Sequence, residues 1–250
     1  MRNAGDSLAG HALAESLLSG SAIARILTPF GVCVFLALLV STVQPAASAG
    51  ESTVSQGASL VRNGGFEQTD GGDASRPAGW DKPDGLGVQW TNSVPGDGHG
   101  KAIRMDTRVT EQQMVAQWKK IGLTQWDIPK PADNAIAATY GLSYYSETIP
   151  VRSGQVYRVT FDFKGPSGGA KVWVRGYGML QGEMRRRYET IVNCRVSSGE
   201  WTAFSQEFHP TKFRPEVTEM KVMLYAYWPP GVYWFDNVRI EPVASGEKSP

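Results

Sequence analysis

Two segments of the sequence alternate in a way that would place ring-bearing and ionisable side chains together. In KVWVRGYG, Val172 and Val174 alternate with Trp173, Arg175 and Tyr177, and in EMKVMLYAY, Val222 and Leu224 alternate with Tyr225 and Tyr227. A strand repeats its facing every two residues. If the valines and the leucine line a core, Trp173, Arg175, Tyr177, Tyr225 and Tyr227 stand on the opposite surface. Asp162 and Arg158 are expected to join them from QVYRVTFDFKG, where Tyr157, Val159, Phe161 and Phe163 hold the apolar parity. Rings on such a surface can stack on a flat ligand, and the arginine and carboxylate beside them can take its hydrogen bonds. The alternative is that residues 109–147, which hold Trp118, Trp126, Tyr140, Tyr144 and Tyr145, fold over these rings and make them a second core.

Catalytic chemistry has less to work with. Past the first 49 residues the only histidines are His99 and His209, far apart and each in a turn-like context. That gives no scaffold for a nucleophile–histidine triad or a histidine metal cluster. Acid–base work by paired carboxylates needs two at a defined separation. The segment MLQGEMRRRYET offers Glu183 and Glu189 around Arg185, Arg186 and Arg187, which read as the solvated tip of a hairpin or, failing that, as contacts for an acidic ligand. Cys194, in IVNCRV, reads as a small buried hydrophobe. The other cysteine, Cys33, lies in an apolar leader, so no intrachain disulfide is expected.

These residues need elements to hold them, and the composition suits many short strands and tight turns, with 28 Gly, 15 Pro and 8 Trp among 250 residues. Lys and Arg number 25 against 24 Asp and Glu, a formal net charge of +1, which gives no general attraction for nucleic acid or an anionic membrane. The run GVCVFLALLVSTV, from Gly31 to Val43, is short for a membrane span, and Ala47-Ser48-Ala49 follows it as a small-residue cleavage box. Residues 1–49 are therefore expected to be a signal peptide and the chain to be secreted or extracytoplasmic. Without cleavage the same run would act as an anchor.

A polar leader over 50–59 precedes LVRNGGFEQ, read as a strand ended by glycines, and residues 70–100 are turn-rich around a strand near Val88 to Trp90. Another strand begins at Lys101 with KAIRMDT, and residues 109–147 read as one strand plus a long insertion. From Ile149 onward strands follow at short intervals, closing with VYWFDNVRIEPV, in which Trp234, Asp236, Val238 and Ile240 are expected to share a face. Without a long helical pattern, this spacing predicts an all-β fold, a two-sheet antiparallel β-sandwich over 60–243 with a polar tail at 244–250.

LVRNGGFEQTDGG, then PAGW at Pro77 to Trp80, GHGKAIRMD, IPVRSGQVYRVTFDFKG and GVYWFDNVRIEPV occur in that order over Leu60 to Val243. Together they resemble carbohydrate-binding modules of the family 4, 9 and 22 type, which are galactose-binding-like jelly rolls. The resemblance implies a structural calcium joining the first and last strands. Its carboxylates would be Glu67 and Asp236 at the matching positions, and its carbonyl donors Gly65, Gly98 and Lys101. An ion of this kind takes six to eight oxygen ligands. Without calcium, Glu67 and Asp236 would be turn and edge-strand residues paired with Arg or Lys. The resemblance also implies a polysaccharide on the face carrying Trp173, Arg175, Tyr177, Tyr225, Tyr227 and Asp162, and a chain that is not an enzyme. A cell-envelope structural or adhesion domain that binds protein is the alternative, and a jelly-roll carbohydrate-active enzyme a more distant one.

Overall fold

The period-2 runs form strands whose apolar parity is buried. In the computed structural model, which describes residues 58–120, 122–125, 134–195 and 199–244, Tyr157, Val159, Phe161 and Phe163 are at most 1 % exposed. The expected signal peptide, most of the leader, Trp126 and the tail from residue 245 lie outside the described residues.

Among the described residues, ten strands make two antiparallel sheets. In sheet A the order is β1 (Val88–Asn92), β2 (Lys101–Asp106), β10 (Val232–Pro242), β5 (Tyr157–Lys164) and β8 (Thr202–Phe208). In sheet B it is β3 (Leu142–Tyr145), β9 (Val217–Ala226), β6 (Ala170–Leu180) and β7 (Glu183–Asn193), with β4 (Ile149–Pro150) also on β9. The expected β-sandwich is thus the observed fold. Two one-faced apolar sheets bury that face by packing on each other. From sheet A, Phe163 meets Phe204, Tyr233 and Phe235, its ring 5.2 Å from that of Phe235. From sheet B come Val172, Val174, Val222 and Leu224, all at 0 % exposure. No helix among the described residues is long and apolar enough to cross a membrane.

Two expectations are corrected, one at 60–67 and one in β10. The segment at 60–67 is a run of turns rather than a strand. The side chain of Asn63 holds it in that shape, accepting from Gln68 N–H at 2.9 Å and donating to the Gln68 and Ala78 carbonyls. The turns are still clipped along β10, with Leu60 N–H donating to Ile240 O and Val238 N–H to Gly64 O. Residues 109–147 hold a helix as well as a strand: α1 (Glu111–Lys120), then a π-helical turn at Ile136–Tyr140, then β3. Thr110 caps α1 by accepting from Gln113 N–H, while Gln113 Oε1 accepts in return from Thr110 N–H, the reciprocal bonds of a capping box. In β10 the shared face of Trp234, Asp236, Val238 and Ile240 does not hold. An extra residue enters between Asp236 and Arg239, where Asn237 has φ +50°, and the parity flips there. Tyr233 and Phe235 face the core before the bulge and Val238 and Ile240 after it, while Trp234 turns outward and is only half-buried.

Candidate functional site

The outer face of sheet B carries five of the six residues expected to meet a ligand. Register sets them in rows across β3, β9, β6 and β7. One row is Ser143, Tyr225, Lys171 and Asn193; the next is Tyr145, Met223, Trp173 and Ile191; the third is Lys221, Arg175 and Glu189. Tyr177 follows on β6, opposite Glu219 and Arg186, and Tyr227 comes just after β9, with its ring stacked 5.5 Å from that of Tyr225.

This face is an aromatic surface edged by cations. Met223 points outward yet is 4 % exposed, so the neighbours set beside it by the register, Tyr145 and Trp173, cover the centre of the sheet. Above and below Trp173, the Lys171 ammonium lies 5.9 Å and the Arg175 guanidinium 5.1 Å from the indole ring. Arg175 Nη1 donates to Tyr145 Oη at 3.0 Å, which fixes the guanidinium over the sheet. The buried donors Trp173 Nε1 and Arg175 Nε have no hydrogen-bond acceptor, an arrangement that costs stability until one is supplied. Burial pushes the Tyr177 and Tyr225 hydroxyls above the ordinary tyrosine range, so both stay protonated and able to donate at neutral pH.

Among the described residues of the insertion, Tyr145 stands in the central row of this face and the π-helical turn meets Tyr225 at one end. Met114, Val115 and Trp118 of α1 pack against the sandwich core, and Gln117 Nε2 donates to Asp84 O. At the π-helical turn, the Tyr140 carbonyl accepts from Tyr225 Oη at 3.3 Å and Gly141 lies against the Tyr225 ring.

Asp162 does not belong to this site. Its strand, β5, pairs with β10 and β8 in sheet A, where Asp162 lies opposite Asp236 and Ala203 and accepts from Asn237 Nδ2 at 2.8 Å. Arg158, expected beside it, pairs with Glu207 at 2.7 Å on β8. Alternation places a residue on one of two faces, but long-range pairing decides which sheet the strand joins. Lys171, Lys221 and Tyr145, which the structure adds to the face, were reachable by the same parity count that found Trp173 and Tyr225. The three arginines of β7 each meet a carboxylate: Arg185 meets Glu183, Arg186 reaches Glu189 at 3.3 Å and Arg187 reaches Glu216 at 2.8 Å. The tip of the hairpin is the Gln181-Gly182 turn, both residues at positive φ.

The expected metal ligands gather at one corner of sheet A. The loop Gly98–Lys101 runs between Glu67, whose Oε1 accepts from Lys101 N–H at 2.8 Å, and Asp236, whose Oδ2 lies 2.7 Å from His99 Nδ1. Gly65 lies beside Asn237, and a Cβ on Gly100 would come within 2.2 Å of Glu67 Oε1. Two carboxylates and neighbouring glycines from three separated segments are oxygen donors of the kind a hard cation takes. The same corner has an internal partner for its buried acid. His99 stacks on Trp201 with ring centroids 3.8 Å apart, and Trp201 Nε1 donates to Asp97 Oδ2 at 2.9 Å. Although desolvation opposes it, hydrogen bonds from Ser93, Trp201 and the His99 N–H hold Asp97 down at about 2. Burial pushes Asp236 up to about 6, against the hydrogen bonds from His99 and Asn237. Among the described residues no three His, Cys, Asp or Glu side chains form a metal-binding group by themselves, so the backbone carbonyls would have to complete any such site.

A comparison with protein-family models finds no match, and a comparison with curated proteins finds none. Among solved structures, the chain is similar to a family 16 carbohydrate-binding module at 13 % identity and TM-score 0.43, over 73 % of this chain and 99 % of that one. It is similar to a family 61 module in complex with β-1,4-galactotriose at 14 % identity and TM-score 0.41, over 75 % and 100 %. It is likewise similar to a family 22 xylan-binding domain from Paenibacillus barcinonensis at 13 % identity and TM-score 0.43, over 76 % and 98 %.

Proposed function

We propose that this domain binds a polysaccharide along the outer face of sheet B and performs no catalysis. The observation that carries the reading is the partly exposed Trp173 on the outer face of sheet B, with Lys171 and Arg175 on either side. A sugar ring has an apolar face for the indole and hydroxyls for the cations, and flat aromatic side chains supply contact area at low entropic cost. Among the described residues, the strand registers set one carboxylate directly opposite another at Asp162 and Asp236, and this pair favours a non-catalytic reading. Asp236 is 2 % exposed with both oxygens bonded, so it cannot reach a substrate.

The test is binding of the full chain to a panel of soluble polysaccharides, with Trp173→Ala and Tyr177→Ala alongside. Loss of an aromatic anchor should weaken binding by about 1–3 kcal/mol and leave the thermal midpoint close to that of the parent. Variants that lower the midpoint and leave affinity unchanged would show that these rings are core and overturn the reading.

The proposal extends to a structural calcium ion held by Glu67 and Asp236 with carbonyl oxygens of Gly65, Gly98 and Lys101. When bound, the ion supplies a fixed positive charge that ties the first turns to β10. His99 now holds Asp236 Oδ2, so binding displaces or reorients that imidazole. An ion that binds only the folded state raises stability by mass action. Adding calcium to chelator-treated protein should therefore raise the melting temperature, and Asp236→Ala should remove the increment. A midpoint that ignores both calcium and chelator would contradict this part.

A further inference from the structure

Resting on the reading that a polysaccharide lies on sheet B, we infer that the polysaccharide is acidic, its uronate carboxylates held by Arg175, Lys221 and Lys171 beside a sugar ring stacked on Trp173. The register puts Arg175 directly opposite Lys221. Like charges facing each other across a ladder destabilise the pair, so this one invites an anion. The carboxylates at hand do not answer it. Glu189 lies 3.8 Å from Arg175 Nε and closer, 3.3 Å, to Arg186, so it is divided between two guanidinium groups. Asp81 acts on Lys221 through its field, without coming within ion-pair distance. Lys171 meets only aromatic rings, those of Trp173 and Tyr227 at 5.9 and 5.4 Å.

Arg104, Arg108, Arg158 and Arg187 each hold a carboxylate oxygen at 2.7 to 2.8 Å. Among the described residues, Lys171, Lys221 and Arg175 have no carboxylate that close, and they stand on the face where the stacking rings are. Lys171 and Arg175 lie four residues apart on one strand, about 13 Å along the chain, with Trp173 midway. A ring seated on the indole therefore presents acidic substituents toward a cation at either end. Arg175 commits Nη1 to Tyr145 and buries Nε, while its side chain as a whole stays 19 % exposed. A planar carboxylate suits a guanidinium edge better than a neutral hydroxyl does.

The experiment compares the affinity of the full chain for polygalacturonate, its fully methyl-esterified form, a neutral xylan and dextran sulfate. The expected result is binding to polygalacturonate at least about tenfold tighter than to the ester, the weight of one charge-assisted contact, weakening as salt is raised. The double variant Lys171→Gln, Lys221→Gln should bring that ratio close to one while the protein stays folded. Equal affinity for acid and ester, or binding to neutral xylan alone, would overturn the acidic inference and leave polysaccharide binding standing. Tighter binding of dextran sulfate than of polygalacturonate would overturn the carboxylate assignment. Binding of none of the four would overturn both this inference and the reading beneath it.

Discussion

Asp106 carries two guanidinium partners, Arg108 and Arg104, at 2.7 and 2.8 Å. The hydrogen bonds from Arg108 above all, then those from Arg104, hold its carboxyl down at about 2, below the ordinary 3.8. An acid whose folded pKa is depressed adds stability that is fully present above its unfolded pKa and is lost as pH falls through the folded one. Arg108 is more than half exposed, so solvent screens much of the pair, and the contribution is of order 1 kcal/mol. Asp106→Asn should cost about that much in urea denaturation at pH 6, and the gap to the parent should close as pH falls from 4 to 2. A gap independent of pH would assign the cost to packing instead. Single residues were legible in the sequence where one chemical fact decides them. Cys194 is buried and its thiol is pushed far up by that burial, as expected of a small hydrophobe. His99 was not legible, because its partner Asp236 lies 137 residues away and only the folded chain brings the two together.

Strands are where the sequence reads most clearly, and also where one residue misleads most. The alternation survives along β5 and along β6 as far as Gly178 because each side chain keeps its parity there. In β10 a single bulge at Asn237 reverses it, and the amide side chain there, bonded to Asp162, has no signature in a period-2 count. α1 could have been found from Thr110 and Gln113, the reciprocal cap of a helix start, ahead of an apolar run. The opening turns depend instead on close backbone approach. A Cβ on Gly64 would sit 1.7 Å from the Val238 carbonyl, so the first turn lies against β10 only while this residue has no side chain. Gly64→Ala should therefore destabilise by about 2 to 4 kcal/mol in urea denaturation. Gly71→Ala, where a Cβ meets nothing within 4 Å, should stay within about 0.5 kcal/mol of the parent. Equal effects of the two would refute the close contact.

At the scale of the whole sandwich the two outer faces divide the work. Sheet A carries the corner of Glu67, His99 and Asp236 and the ion pairs of Arg104 and Arg158, whereas sheet B turns out Trp173 between Lys171 and Arg175. The two-sheet architecture was legible because strands with one apolar face have few other ways to bury it. The membership of each sheet was not, since Asp162 and Trp173 satisfy the same parity and only long-range pairing separates them. Both faces carry an outward tryptophan, Trp234 on sheet A near Arg104 and Trp173 on sheet B. That symmetry makes hydroxyl-radical footprinting of the full chain, alone and saturated with polygalacturonate, the direct test of where the ligand sits. The account predicts that oxidation falls at Trp173, Tyr177 and Tyr227 and stays unchanged at Trp234. Protection of Trp234 with Trp173 left as reactive as before would contradict it.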